Sequence, residues 1–191
     1  MHKGRLEAFS DGVVAILITI MVLELRPPHG VDLAALRGVV PTFLSYVLSF
    51  VFLGIYWNNH HHLFQAAHRV TGRVLWANLH MLFWLSLVPF VTSWRGENHS
   101  APLPTALYGV VMLLSGAAFR ILQGTVITAE GSGSTLARAI GGDAKGKISL
   151  ACYVAAIALA FVNPWLSDVL FVAVALMWLA PDPRIERALS G

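Results

Sequence analysis

The sequence predicts an all-α integral membrane protein with six transmembrane helices in a single domain, residues 1–191. Three observations predict this. The chain is 57% hydrophobic and only 12% charged, whereas soluble domains carry about 25% charged residues. Its mean hydropathy is +0.68. Six apolar segments, each bounded by turn-forming or charged residues, divide it from end to end.

The first segment runs from Leu6 to Leu25 and is stopped by Pro27-Pro28. It is long enough to cross a bilayer as a helix, which takes about 20 residues. The second runs from Val39 to Trp57, with Pro41 in its first turn, where a missing N–H costs little. The third is Val74 to Trp94 and the fourth Thr105 to Ile127. Glu130 to Lys147, with Gly131-Ser132-Gly133-Ser134 and Gly141-Gly142-Asp143, reads as a flexible loop. The fifth is Ile148 to Val162, closed by an Asn163-Pro164 turn. The sixth is Trp165 to Ala180, closed by Pro181-Asp182-Pro183, and these last two are short for a bilayer.

Lysine and arginine placement sets the expected orientation. With the N-terminus inside, Lys3, Arg5, Arg69, Arg73, Arg120, Arg138, Lys145, Lys147, Arg184 and Arg187 fall on the inner side. Only Arg26, Arg37 and Arg95 fall outside. An even number of spans then puts both termini of this multi-pass protein in the cytoplasm. The cations are thus topology signals and give no reason to expect nucleic acid. Trp57, Trp76, Trp94 and Trp165 lie near segment ends, as interface anchors do. The single cysteine, Cys152, cannot form an intrachain disulfide. The basic, then apolar N-terminus lacks a small-residue cleavage site around Glu24 to Pro28, so it is expected to be retained.

The first segment carries the most information. A helix turns about 100° per residue. With Gly12 at zero, Ile16 falls near about 40°, Thr19 near about −20° and Leu23 near about 20°. Those four residues form one narrow stripe, with Arg5 and Arg26 beyond its ends. Ser10 lies almost opposite and Asp11 to one side. Two readings fit: a small-residue stripe for helix packing, or a pore wall, if several copies of this helix surround an axis.

Arg5-x-x-x-Phe9-Ser10-Asp11 on a first transmembrane helix resembles the signature of the transmembrane protein 175 family of potassium channels. The six-segment layout, Trp57-Asn58-Asn59-His60-His61, Asn78-x-His80 and Pro89-Phe90 are similar to its prokaryotic members, so the resemblance covers nearly the whole chain. It implies a homotetramer in the lipid bilayer, with the first helix lining a central pore and K⁺ as the permeant ion. It implies permeation without the TVGYG carbonyl filter, a sequence absent here. By position, the pore layers are Ile16, Thr19 and Leu23, on the stripe that begins at Gly12. Arg5, Phe9, Ser10 and Asp11 belong to a network at the intracellular end, with His80 and Trp84 as the expected partners. Rings of Ile and Leu form an apolar constriction that gates by dewetting. A ring of Thr hydroxyls replaces part of a cation's hydration shell without the strong field of carboxylates.

The remaining polar residues suggest little else. His60, His61 and His62, with His68, resemble a metal-ligand cluster, since imidazole binds transition metals. Consecutive histidines point to different helix faces, so an interfacial polar collar is favoured over a metal site, with pH sensing left open. His80, within an apolar run, needs a partner, expected near Ser10 and Asp11. Glu24 is read as opposite the stripe, near the outer end, and is expected to pair or reach the interface. No nucleotide loop, nucleophile elbow or carboxylate pair at depth suggests an enzyme or a bound cofactor. The alternative function is a secondary transporter or proton-coupled cation carrier. Such proteins usually show internal repeats and helices broken at mid-membrane, and the sequence shows neither plainly.

Overall fold

The structure, a computed structural model, describes residues 3–99, 101–131, 137 and 143–179. Most of the glycine- and serine-rich loop, Arg138, the Pro181-Asp182-Pro183 stop, Arg184 and Arg187 lie outside the described residues. Those described form eight helices. In order they are α1 (Lys3–Leu23), α2 (Leu33–Arg37), α3 (Val40–Gln65), α4 (Gly72–Ser86), α5 (Val88–Glu97), α6 (Pro102–Glu130), α7 (Ala144–Ala160) and α8 (Pro164–Leu179).

Among the described residues four spans are long and apolar enough to cross a membrane: α1, α3, α4 with α5 as Gly72–Glu97, and α6. The helices α7 and α8 have 17 and 16 residues, about 25 Å of axis at 1.5 Å per residue, short of the roughly 30 Å hydrocarbon core. Eight helices replace six segments for two reasons. Asp32 caps an unforeseen short helix, α2, by accepting from the Ala35 N–H at 2.9 Å. The third segment is broken at Leu87. Pro89 has no N–H to give Leu85, and its ring crowds that carbonyl, so the helix stops and restarts. The break departs from the expectation of uninterrupted spans. It is nevertheless tight, since Leu87 serves as the C-cap of α4 and the N-cap of α5.

The second span also runs further than its apolar stretch. Expected to end at Trp57, α3 continues through the histidines to Gln65. Another helix reaches its end: Lys3 Nζ donates to Phe64 O in the last turn (2.8 Å) and to Ala67 O just beyond it (3.2 Å). A cation is favourable at a helix C-terminus, and here it also ties the start of α1 beside the end of α3. We call this side of the bundle the N-terminal side. α6 ends on a glycine, Gly131, at φ +100°, a backbone conformation that costs glycine little.

The core is continuous from α1 through α8 and is built on Phe52, Leu53, Tyr108, Met112, Leu122 and Phe171. Into it the fold sets an ion pair. Arg95 of α5, 6% exposed, reaches Asp168 of α8 at 2.5 Å. Its guanidinium lies 4.8 Å from the Tyr108 ring centroid. Arg95 therefore is not the outer topology signal that its place in the sequence suggested; it is a packing residue of the bundle. Thr92 donates to Ser49 Oγ at 2.7 Å, and Ser49 pairs with Tyr108 Oη at 3.1 Å. Asp168, Thr92, Ser49 and Tyr108 all have a partner, as burial requires, whereas Arg95 is held through Nη2 and leaves its buried Nη1 without a hydrogen bond among the described residues.

Candidate functional site

The two faces of α1 differ sharply. Its buried residues are Leu6, Ser10, Val14, Leu17 and Met21, spaced four, four, three and four, and they pack on α3, α4 and α5. By helical geometry this stripe is centred about 160° from Gly12. The opposite face is uncovered in the chain. Gly12, Ile16, Thr19 and Leu23 are all exposed, Ile16 by 57% and Leu23 by 79%. A Cβ placed on Gly12 would meet nothing within 4 Å. Thr19 Oγ1 donates to Ile16 O at 2.8 Å. That bond turns the hydroxyl hydrogen back to the helix and leaves the oxygen lone pairs directed outward.

The Arg5-x-x-x-Phe9-Ser10-Asp11 segment divides between these faces. Arg5 and Phe9, one turn apart, are exposed, and Arg5 makes no hydrogen bond or ion pair among the described residues. Ser10 is buried. It donates to Leu6 O (2.9 Å) and accepts from Asn78 Nδ2 of α4 (2.9 Å). Asn78 Oδ1 in turn meets His60 Nε2 of α3 at 2.9 Å. Asp11 accepts from Trp57 Nε1 of α3 at 3.0 Å. Asp11 stands eight residues from the start of α1 and Trp57 eight from the end of α3, so the contact lies about 12 Å along both helices.

The structure therefore changes the partners of this network. His80 and Trp84 do not reach Ser10 or Asp11. His80 is exposed and accepts from Trp84 Nε1 at 2.9 Å, one turn along the same helix. The reason is rotational: residues two apart on a helix differ by about 200°. Asn78 shares the core face of α4 with Val74, Ala77, Met81, Leu82 and Leu85, and this turns His80 away. The signal for Asn78 was in the sequence, since it falls on that apolar stripe. His60, expected in an interfacial collar, is likewise 3% exposed and belongs to the network. His61 stacks on Trp57 at 6.0 Å and meets Gln65 at 2.8 Å. Among the described residues no group of three or more His, Cys, Asp or Glu could hold a metal ion. Glu24 accepts from Ser93 Oγ at 3.2 Å.

Comparison with known proteins agrees with this architecture. Residues 5–89 match the family described as endosomal/lysosomal potassium channel TMEM175. This region holds the motif of α1, Trp57, His60 and Asn78. A protein of Chryseobacterium sp. (strain P1-3) described as a potassium channel is 52% identical over 190 residues, 100% of this chain and 99% of its own. Another, from Streptomyces collinus, carries the same description and is 36% identical over 63% of each chain. The crystal structure of a lysosomal potassium-selective channel TMEM175 homologue from Chamaesiphon minutus superposes with a TM-score of 0.82. The alignment covers 93% of this chain and 96% of that one, at 27% identity. A near full-length relative at half identity, a shared fold and the match over the motif-bearing residues 5–89 lead to one conclusion: this chain is a multi-pass membrane protein of the TMEM175 family.

Proposed function

We propose that the chain is one subunit of a homotetrameric potassium channel in the bacterial cell membrane, with α1 lining the central path. The observation that carries this reading is the uncovered face of α1. A membrane helix packed along one whole side leaves Gly12, Ile16, Thr19 and Leu23 without cover, and one helix per subunit makes a closed path only by rotational symmetry. Around an axis, Ile16 and Leu23 form apolar rings that gate by dewetting, and Thr19 offers hydroxyl oxygens between them. Ser10, Asn78 and His60, with Asp11 and Trp57, hold α1 at a fixed rotation on α3 and α4, so the same stripe faces the axis in every subunit. The excess of Lys and Arg on the N-terminal side supports cytoplasmic termini.

A transporter reading gains little from the break at Leu87. Discontinuous helices of transporters expose unwound backbone to substrate, whereas here one residue caps both helices. Permeant K⁺ needs no cofactor, and the chemistry of the site does not call for one. Purified protein in planar bilayers is expected to pass ohmic current with a reversal potential that follows the K⁺ gradient against Na⁺, and native mass spectrometry is expected to show four chains. Saturable, coupled flux or a monomer would refute the reading.

A further inference from the structure

Where the first turn of α4 passes the last turns of α6, an open groove of about 780 Å³ is lined by Thr71, Gly72, Arg73, Gly124, Thr125 and Thr128, with Ile121 at its deeper end. Its volume lies in the range of about 300–1,000 Å³ typical of small-molecule sites. We propose that this groove binds an anionic phospholipid with a hydroxyl-bearing headgroup, such as phosphatidylglycerol, from the leaflet on the N-terminal side. The lipid phosphate pairs with Arg73, and an acyl chain lies along Gly124 and Ile121.

Three observations favour a lipid. The first is depth. Trp76, three residues or about 4.5 Å further along α4, is 75% exposed, and tryptophans so placed mark the headgroup boundary. Arg73 therefore lies at phosphate level and Ile121, 51% exposed, at acyl-chain level. The second is charge. Arg73 is exposed, and basic grooves between transmembrane helices suit anionic headgroups. The nearby carboxylate of Glu130 does not line the groove; its Oε1 accepts the N–H groups of His68 and Arg69, both at 2.7 Å. The third is hydrogen-bond polarity. Thr125 Oγ1 donates to Leu122 O (2.7 Å) and Thr128 Oγ1 to Gly124 O (2.8 Å). Their oxygens remain acceptors, which suits a headgroup that donates hydroxyl hydrogens. The floor is open at Gly124, where an added Cβ meets nothing within 4 Å. This lipid site needs the chain to be membrane-embedded and is independent of what α1 conducts.

The test measures thermal unfolding of the intact purified protein in detergent, with phosphatidylglycerol, phosphatidylcholine of the same acyl chains, or inorganic phosphate added. Phosphatidylglycerol is expected to raise the midpoint by at least about 3 °C, and the other two to leave it within about 1 °C. Arg73→Gln, at an exposed position, and Gly124→Leu, which fills the floor, are expected to keep the wild-type midpoint without lipid and to lose the shift. An equal shift from phosphatidylcholine, a shift reproduced by inorganic phosphate, or a full shift in both variants would overturn the proposal. So would loss of assembly in Gly124→Leu without any lipid-dependent shift, which would make the groove a contact between copies of the chain.

Discussion

Asn78 joins three helices through two 2.9 Å contacts, donating to Ser10 Oγ on α1 and meeting His60 Nε2 on α3. All three residues are buried, so the amide has no water to turn to. Asn78→Leu is expected to cost about 1–3 kcal/mol, because it leaves Ser10 and His60 each short of a partner. His80→Ala, two residues on but exposed, should stay within about 0.5 kcal/mol. Thermal unfolding of both variants in one detergent checks the pair. Equal losses would mean that His80 shares the load.

The ion pair of Arg95 and Asp168 gives a second expectation. Removing one member of a buried pair costs about 3–5 kcal/mol. Asp168→Ala strands a guanidinium that is 93% buried in its side chain, while Arg95→Met strands a carboxylate that keeps 23% of its exposure. Asp168→Ala is therefore expected to be the more destabilising. The double variant Arg95→Met/Asp168→Leu should recover most of the loss, since no unpaired charge remains. A double variant no better than Asp168→Ala alone would contradict this.

Two glycines should respond in opposite ways. A Cβ on Gly96 would come within 2.9 Å of Thr42 Cα on α3, where Thr42 Oγ1 also donates to Gly96 O at 3.1 Å. Gly96→Ala must push α3 and α5 apart, at about 1–3 kcal/mol. Gly12→Ala meets nothing in the chain and should hold or slightly raise its helicity and unfolding midpoint, since Ala favours a helix interior over Gly. Any effect of Gly12→Ala should appear in current or assembly. Circular dichroism melts beside size-exclusion profiles distinguish the two.

How far the sequence disclosed this molecule depends on the range of each interaction. The uncovered stripe of α1 was legible because Gly12, Ile16, Thr19 and Leu23 sit on one helix, whose period is fixed. The break at Leu87 was foreshadowed by Pro89, and Asn78 by its register with Val74 and Leu85. Arg95 was misread because its partner lies 73 residues away; an arginine near a segment end looks the same whether it faces headgroups or a buried carboxylate. The cation at the end of α3 was not legible for a similar reason, since Lys3 is 61 residues from Phe64. The period of a helix was readable, whereas the partners of single side chains, including the Trp84 that meets His80 one turn along the same helix, needed the fold.

The central claim is that the exposed face of α1 is the ion path, and Thr19 tests it most directly. Thr19→Val keeps nearly the same volume and removes the hydroxyl whose oxygen faces outward. Bi-ionic reversal potentials for K⁺ against Na⁺, recorded for wild type and Thr19→Val with matched size-exclusion profiles, give the measurement. The account predicts intact assembly with reduced K⁺ conductance or a reversal potential moved toward zero, because the ion loses oxygen ligands at that ring. Unchanged conductance and reversal potential, or an effect confined to assembly, would contradict it.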